Sequence, residues 1–137
     1  MLIGYEALRD LEVEYAPVET PLETAMCPFI AGKKPAVVPI LRAGLGMVNG
    51  VHVLFPSAKV GHIGLYRDEE TLEPMEYYCK LPVGIEEKLV LLVDPMLATG
   101  GSACDAIERL KMRGCKNIKF MAVIGVPEGV SRVAEAH

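Results

Sequence analysis

The segment from Asp94 to Ser102 carries residue types that are suited to binding an anion. It reads Asp-Pro-Met-Leu-Ala-Thr-Gly-Gly-Ser and directly follows the apolar run Leu89–Val93. Small residues leave the backbone N–H groups of Ala98–Ser102 accessible, and a helix that begins there adds its dipole, so this spacing predicts a cradle for one phosphate monoester. A carboxylate at the end of an apolar strand is costly to desolvate, so we expect Asp94 to have a partner such as hydroxyl groups, a cation or a sugar diol.

Two arginines stand at other points where a ligand contact is conceivable. Arg42 directly follows the apolar run Ala36–Leu41, so its side chain must either reach the ligand edge of the sheet or pair with an acid. Arg67 begins the polar stretch 67–71 between two β-rich segments, which is ordinarily the solvated tip of a hairpin. The residues alone therefore favour a binding role for Arg42 and a solvated position for Arg67.

Two common phosphate-binding motifs are incomplete in this sequence. A P-loop requires a lysine after its last glycine, and Gly100-Gly101-Ser102 has none. A dinucleotide fingerprint, G-x-G-x-x-G, would begin at Gly44 and Gly46, but its third glycine, Gly50, comes one residue late. A binder of NAD type that uses Gly44 and Gly46 stays an alternative.

The elements that must position these residues follow the order strand, turn, helix three times. The predicted buried strands are Ala36–Leu41, Leu89–Val93 and Ile118–Val126, and the helices after them end near Phe55, at Gly114 and at Ala136. This order predicts an α/β fold with a parallel sheet and right-handed crossovers. Because ligands bind outside the carboxyl ends of parallel strands, Arg42, Asp94 and the segment Gly125–Gly129 are expected at one edge.

The rest of the chain is expected to join this sheet in a single domain, residues 1–137. Apolar spacing predicts a helix over Met1–Asp10, a strand over Glu12–Thr20 and a short helix from Pro21 to Ile30. Val60–Tyr66 and Met75–Leu81 predict a β-hairpin that leaves the main sheet.

Composition excludes several classes of protein. Lys plus Arg is 14 and Asp plus Glu is 18, so the net charge is −4, whereas general nucleic-acid binders have a strongly basic face. No apolar run approaches the roughly 20 residues that span a bilayer, and the first residues lack the basic region of a secretory signal. We therefore expect a cytoplasmic protein that binds neither nucleic acid nor membrane. The cysteines form no C-x-x-C pair, so we expect reduced thiols and no zinc site.

Three long motifs, in the same order along the chain, resemble those of the type I phosphoribosyltransferases. Val93–Ser102 resembles the loop that binds phosphoribosyl diphosphate (PRPP), and its form is similar to that of the uracil phosphoribosyltransferases in particular. Pro39–Met47 resembles the diphosphate loop of the family, and Gly61–Leu72 its flexible hairpin. The resemblance extends over essentially the whole chain and implies the family's core, a parallel sheet with a β-hairpin excursion.

The resemblance implies a reaction and a role for each candidate residue. The phosphoribosyl group of PRPP would pass to N1 of uracil and give UMP and diphosphate, a step of pyrimidine salvage. Asp94 would accept hydrogen bonds from the ribose hydroxyls, and the guanidinium groups of Arg42 and Arg67 would bind the diphosphate; these three residues are the implied catalytic groups. The implied PRPP-binding residues are Arg42, Arg67, Asp94, Pro95, Met96, Leu97, Ala98, Thr99, Gly100, Gly101 and Ser102.

The resemblance also implies a cofactor and partners. Many type I enzymes have two adjacent acids at the strand end, whereas Pro95 occupies the second position here. The implied Mg²⁺ would therefore be held by diphosphate and water, with no metal-binding side chain. PRPP and uracil are the implied substrates, GTP the implied effector, and a homo-oligomer the implied assembly.

The sequence departs from the family pattern at both ends. Family members begin with a further helical region and continue with a strand and a Gly/Asp-rich uracil-recognition loop, which nothing in this sequence matches. We therefore expect a PRPP-binding core that is incomplete relative to the family, contains no uracil-binding residue and converts no uracil by itself. The alternative function is a non-catalytic PRPP- or nucleotide-binding protein, a remnant or a regulator.

Overall fold

Four helices and ten strands form in the computed structural model, which describes residues 1–68, 70 and 74–137. In chain order these elements are α1 (Leu2–Ala7), β1 (Val13–Glu19), β2 (Thr24–Ile30), β3 (Ala36–Leu41), α2 (Leu45–Leu54), β4 (Lys59–Val60), β5 (His62–Arg67), β6 (Pro74–Lys80), β7 (Leu89–Val93), β8 (Met96–Leu97), α3 (Gly101–Met112), β9 (Asn117–Met121), β10 (Ile124–Gly125) and α4 (Pro127–Ala136). A single 3-10 turn, Ile85–Glu87, precedes β7.

The two apolar strands β3 and β7 form the centre of the sheet and pair in parallel. Val37 and Val38 on β3 are inaccessible to solvent, as are Leu91 and Leu92 opposite them on β7. Val38 and Leu92 belong to a core cluster that α3 completes, and Val37 and Leu91 to a second cluster that includes α2. Helices therefore cover both faces of the sheet, which is why these strands are continuous apolar runs rather than alternating ones.

The remaining strands extend this centre to the order β6-β5-β3-β7-β9, in which β3, β5, β7 and β9 are parallel. β4 and β5 follow one another along the same side of β3, with Gly61 between them. β6 runs antiparallel to β5 and forms the predicted hairpin. The parallel α/β fold predicted from the sequence is confirmed, and it brings the ends of β3, β5 and β7 to one edge of the sheet. No helix among the described residues is long and apolar enough to cross a membrane.

The short helix predicted from Pro21 to Ile30 is wrong, because the chain forms strand β2 there. Thr20 closes a tight turn: its hydroxyl accepts the N–H groups of Leu22 and Glu23 and donates to the carbonyl oxygen of Glu23. β2 then pairs antiparallel with β1. Pro28 lies inside the predicted helix, where a proline removes a hydrogen bond and clashes with the preceding turn, whereas a two-stranded ribbon accepts it.

The third predicted buried strand, Ile118–Val126, is shorter and less buried than expected. β9 ends at Met121, and its four residues before Met121 are exposed or half-buried. The chain then leaves β7, because the N–H groups of Val123 and Ile124 bond to the carbonyl oxygen of Pro95 and not to the strand. Of the hairpin motif Gly61–Leu72, residues 69, 71 and 72 lie outside the described part of the chain.

Candidate functional site

The loop from Asp94 to Gly100 connects the carboxyl end of β7 to the N-terminus of α3. Gly100 caps α3 with φ 79°, a left-handed conformation that glycine adopts at little cost. The loop and the first turn of α3 line a cleft of ≈ 90 Å³. The residues of the predicted phosphate cradle, Ala98–Ser102, all line this cleft.

Asp94 stands at the start of this loop in a half-buried position. Its backbone N–H donates to the carbonyl oxygen of Met121, and its carboxyl group accepts the N–H of Met96. Burial raises the pKa of Asp94, and the hydrogen bond from Met96 only partly opposes that rise. The carboxyl group therefore bears the desolvation expected from its place at the end of an apolar strand, and a hydrogen-bonding ligand would relieve it.

Arg67 is brought against the N-terminus of α3, which its sequence position alone did not indicate. It is the last residue of β5, and a Cβ atom built on Gly101 would collide with its Nη2 atom. The guanidinium group therefore lies on the first residue of α3, beside the cradle. The sequence favoured a solvated tip for Arg67; the side chain is exposed, and it lies beside the loop.

Arg42 follows β3 and is exposed at the same edge of the sheet. The peptide bond between Leu41 and Arg42 is cis. Two residues on, Gly44 packs so closely that a Cβ atom there would lie 2.8 Å from the backbone N and O of Ile40 and would collide with the carbonyl oxygen of Val93. The Arg42 loop thus rests on the end of β7, next to Asp94.

The surroundings of Arg42 and Gly44 can be compared with what the sequence predicted for them. Within residues 1–68, 70 and 74–137, no acid forms a salt bridge with Arg42, so the pairing with an acid, one of the two roles expected for its side chain, is not formed there. Contacts inside the protein explain why residue 44 is a glycine. Gly44 therefore no longer supports the dinucleotide alternative.

Two residues of α4 lie on the loop: Gly129, which belongs to the segment expected at this edge, and Arg132, which sequence reasoning missed. A Cβ atom on Gly129 would collide with the carbonyl oxygen of Ala98, and one on Gly100 would lie 3.0 Å from the carbonyl oxygen of Gly129. One turn further along α4, Arg132 donates from Nη1 to the carbonyl oxygen of Thr99 at 3.5 Å. A proline and a glycine at the start of a helix that follows a strand end, as in Pro127–Gly129, are the signal that could have indicated this close approach.

Other candidate sites lie elsewhere or are not formed. A cavity of ≈ 620 Å³ is lined by Leu89 and Asn117 at the amino ends of β7 and β9, opposite the edge where ligands of such sheets bind. Among the residues that the structure describes, no three His, Cys, Asp or Glu side chains group into a metal cage. All cysteines, Cys27, Cys79, Cys104 and Cys115, are free thiols.

Comparison with known proteins places this geometry in a family. A family profile described as "Uracil phosphoribosyltransferase" matches residues 1–137. The uracil phosphoribosyltransferases of Clostridium acetobutylicum and Clostridium botulinum (strain Eklund 17B) are 61% and 60% identical over 137 residues, and this chain spans 66% of the length of each.

Solved structures share the fold of this chain. A protein of Aquifex aeolicus superposes with a TM-score of 0.86 at 40% identity, covering 98% of this chain and 64% of that one. A hypoxanthine-guanine phosphoribosyltransferase of Bacillus anthracis, at 15% identity and a TM-score of 0.66, covers 93% of this chain and 63% of its own length, and it has the same fold.

Proposed function

This chain belongs to the uracil phosphoribosyltransferase family, and on that premise we propose that it binds PRPP and that the whole protein transfers the phosphoribosyl group to uracil. The products would be UMP and diphosphate, so the enzyme is a glycosyltransferase of pyrimidine salvage. The observation that carries the proposal is the loop Asp94–Ser102, which joins β7 to the N-terminus of α3 and has the guanidinium group of Arg67 against it.

The 5-phosphate would lie on the backbone N–H groups of Ala98–Ser102. The first N–H groups of a helix have no partner within the helix, and the helix dipole favours an anion beside them. Thr99 and Ser102 are exposed, so their hydroxyls are accessible as further donors. Leu97, which is buried and accepts the N–H of Val126 through its carbonyl oxygen, would fix the loop in this shape, with Pro95 and Met96 beside it.

The ribose would hydrogen-bond to Asp94. A ribose offers two neighbouring hydroxyl donors, and an ionised carboxylate is an acceptor only. Because burial has raised the pKa of Asp94, hydrogen bonds from these hydroxyls would restore to the carboxylate part of the solvation that it has lost.

Arg42 and Arg67 would bind the diphosphate. In the transfer, the bond between C1 of the ribose and a diphosphate oxygen breaks while N1 of uracil bonds to C1, and the proton of N1 is released. Negative charge therefore develops on the departing diphosphate, where guanidinium groups bind two oxygens at once and stabilise it.

The residues present also fit Mg²⁺ carried by the substrate. Asp94 is followed by Pro95, which has no oxygen ligand in its side chain, and Mg²⁺ keeps several waters and binds readily to phosphate oxygens. The ion would thus be held by diphosphate and water. When bound, it would neutralise part of the charge of the leaving group.

A second candidate function is PRPP binding without turnover. The motifs Pro39–Met47, Gly61–Leu72 and Val93–Ser102 all serve PRPP in the resemblance, and we assign no residue of this sequence to the edges of uracil. On the resemblance we further propose a cytoplasmic location, a homo-oligomer and GTP as an effector.

Titration calorimetry with PRPP and an assay of UMP formation, both with Mg²⁺, test these proposals. Binding with UMP formation supports transfer, and binding without UMP supports the second candidate. If the protein binds neither PRPP nor UMP, both proposals fail, and binding of NAD instead would favour the dinucleotide alternative.

The assignment of Arg42 has its own test. Arg42→Lys should weaken binding of PRPP more than binding of ribose 5-phosphate, since only PRPP carries a diphosphate and lysine cannot bind two of its oxygens in the same planar geometry. Arg9→Lys, in the exposed turn that follows α1, is the control and should change neither affinity. Equal losses for the two ligands would mean that Arg42 serves the fold.

A further inference from the structure

The segment before helix α4 and the start of the helix make backbone contacts with the loop Asp94–Gly100, which we call the phosphate loop. The N–H groups of Val123 and Val126 bond to the carbonyl oxygens of Pro95 and Leu97, at 3.0 Å each. These bonds make β10 run parallel to β8. Gly129 then meets the loop at Ala98 with no room for a side chain. The position of α4 relative to the loop is therefore set by main-chain geometry.

This position determines where Arg132 lies. Residues three apart share a helix face, and helical side chains lean towards the amino end, so the side chain of Arg132 extends towards Gly129 and the loop. The Cβ atom of Arg132 is 3.4 Å from the place of a Cβ on Gly100, and its Nη1 atom is 3.8 Å from the place of one on Gly101. Val133, the next residue of α4, packs against the core cluster to which α3 contributes, and this contact keeps α4 beside α3.

Two guanidinium groups thus converge on the first residue of α3. Nη2 of Arg67 and Nη1 of Arg132 both lie against Gly101, from β5 and α4 respectively. In the described part of the chain neither forms a salt bridge, and Asp105, the acid of α3 that feels both charges, is not within ion-pair distance of either. Two like charges held together without a carboxylate between them are stabilised by an anion that binds to both.

We propose that Arg132 binds the 5-phosphate of PRPP from the side of the cradle that α4 forms, while Arg67 binds the diphosphate of the same ligand. The inference rests on the proposed function and adds a residue and an element to its site. A phosphate monoester carries about −1.5 to −2 charges at neutral pH. A guanidinium group has five N–H donors, and Arg132 uses one of them, at 3.5 Å, on the carbonyl oxygen of Thr99. Its other donors are available to phosphate oxygens.

Calorimetry with ribose 5-phosphate and, separately, with inorganic diphosphate tests the proposal. Arg132→Ala should weaken ribose 5-phosphate binding about tenfold, the size expected for one hydrogen bond to a charged group. Diphosphate binding should stay unchanged, because that ligand has no 5-phosphate. Arg132→Lys should recover part of the loss, since it restores the charge. Arg9→Ala, in the turn after α1, is the control, and alanine preserves the helix propensity of α4 at position 132.

The outcomes separate this inference from the function on which it rests. If Arg132→Ala binds ribose 5-phosphate as tightly as the parent, Arg132 is not a ligand of the phosphate, and the remaining cradle is unaffected. If Arg132→Ala weakens both ligands equally and lowers the melting temperature, the residue only supports α4, and the inference is equally overturned. If the parent protein binds neither ribose 5-phosphate nor PRPP, the proposed function fails.

Discussion

Gly100 has a left-handed backbone conformation and also lines the cleft in which the phosphate is proposed to bind. We predict that Gly100→Val abolishes PRPP binding, because a branched side chain would occupy the left-handed conformation at φ 79° and press on Gly129. Calorimetry measures the binding and thermal unfolding the stability. Gly84→Val is the matched control: Gly84 has φ 72° with open space around it, so the change shares the backbone strain of roughly 1–2 kcal/mol but should leave binding intact. Parent-like binding by Gly100→Val would show that the cradle is misassigned.

The ionised carboxylate of Asp94 is proposed to favour ligand binding, but its burial lowers the stability of the fold. Its pKa is raised by burial, so its contribution to stability is largest when it is protonated, and it is lost as the pH rises through the raised pKa. We therefore predict that Asp94→Asn raises the melting temperature at neutral pH, with a gain that shrinks on acidification, and that it weakens PRPP binding at neutral pH. Thermal unfolding between pH 4 and pH 7 and calorimetry check the two halves.

Asp10→Asn is the control for that prediction. The ion pair with Lys119 lowers the pKa of Asp10, so here the charged carboxylate contributes stability, which is lost as the pH falls. The same substitution should lower the melting temperature slightly and leave ligand binding unchanged. If Asp94→Asn also lowered the melting temperature, a structural role for the Asp94 carboxylate would replace the one proposed.

Among the single residues of the site, some properties could be predicted from the sequence and others could not. The desolvation of Asp94 could be predicted because it depends on the apolar run directly before it. The contact of Arg67 with Gly101 could not, because it depends on how far β5 extends beside α3. Arg132 was missed for the same reason: it becomes part of the site only through the docking of α4 on the loop.

At the scale of elements, α4 and the phosphate loop form one unit, and Gly129 is its closest contact. We predict that Gly129→Ala destabilises the protein by about 1–3 kcal/mol, the usual cost of overpacking, because the new methyl group collides with the backbone at Ala98. Ribose 5-phosphate binding should weaken as α4 moves away. Gly125→Ala is the control, since its Cβ would meet Leu97 and Val130 at an ordinary 3.8 Å. Equal effects of the two substitutions would contradict a special role for Gly129.

Element prediction succeeded where burial is uniform and failed where it is not. β3 and β7 are buried on both faces, so their sequences are continuous apolar runs that few other elements produce. β2 packs chiefly against β1, and its partner strand and the hydroxyl of Thr20 determine its structure. A pattern of seven residues, Thr24–Ile30, does not contain that information.

For the whole molecule, the β1–β2 hairpin suggests where the proposed homo-oligomer forms. One face of the hairpin is apolar and exposed, and it comprises the opposed pairs Val13 and Ile30, Tyr15 and Pro28, and Pro17 and Met26. A two-stranded hairpin is marginally stable by itself in water, so a second copy packed on this face would stabilise it.

We predict that the protein sediments above the 14.9 kDa of one chain and that Tyr15→Glu shifts it towards the monomer. A buried carboxylate in the interface would be costly to desolvate. Val83→Glu, at a side chain that is 99% exposed outside the hairpin, should leave the assembly unchanged. A parent protein that sediments as a single chain would contradict the proposed oligomer.

The hydrogen bonds that fasten the segment after β9 to the loop make that segment a reporter of the site. The amide protons of Val123, Ile124 and Val126 are donated to carbonyl oxygens of Pro95 and Leu97, so they exchange with deuterated water only when the loop opens. A ligand that binds the closed loop reduces the opening by the factor 1 + [L]/Kd. Protection of these amides should therefore rise with PRPP concentration, although the segment follows a different strand.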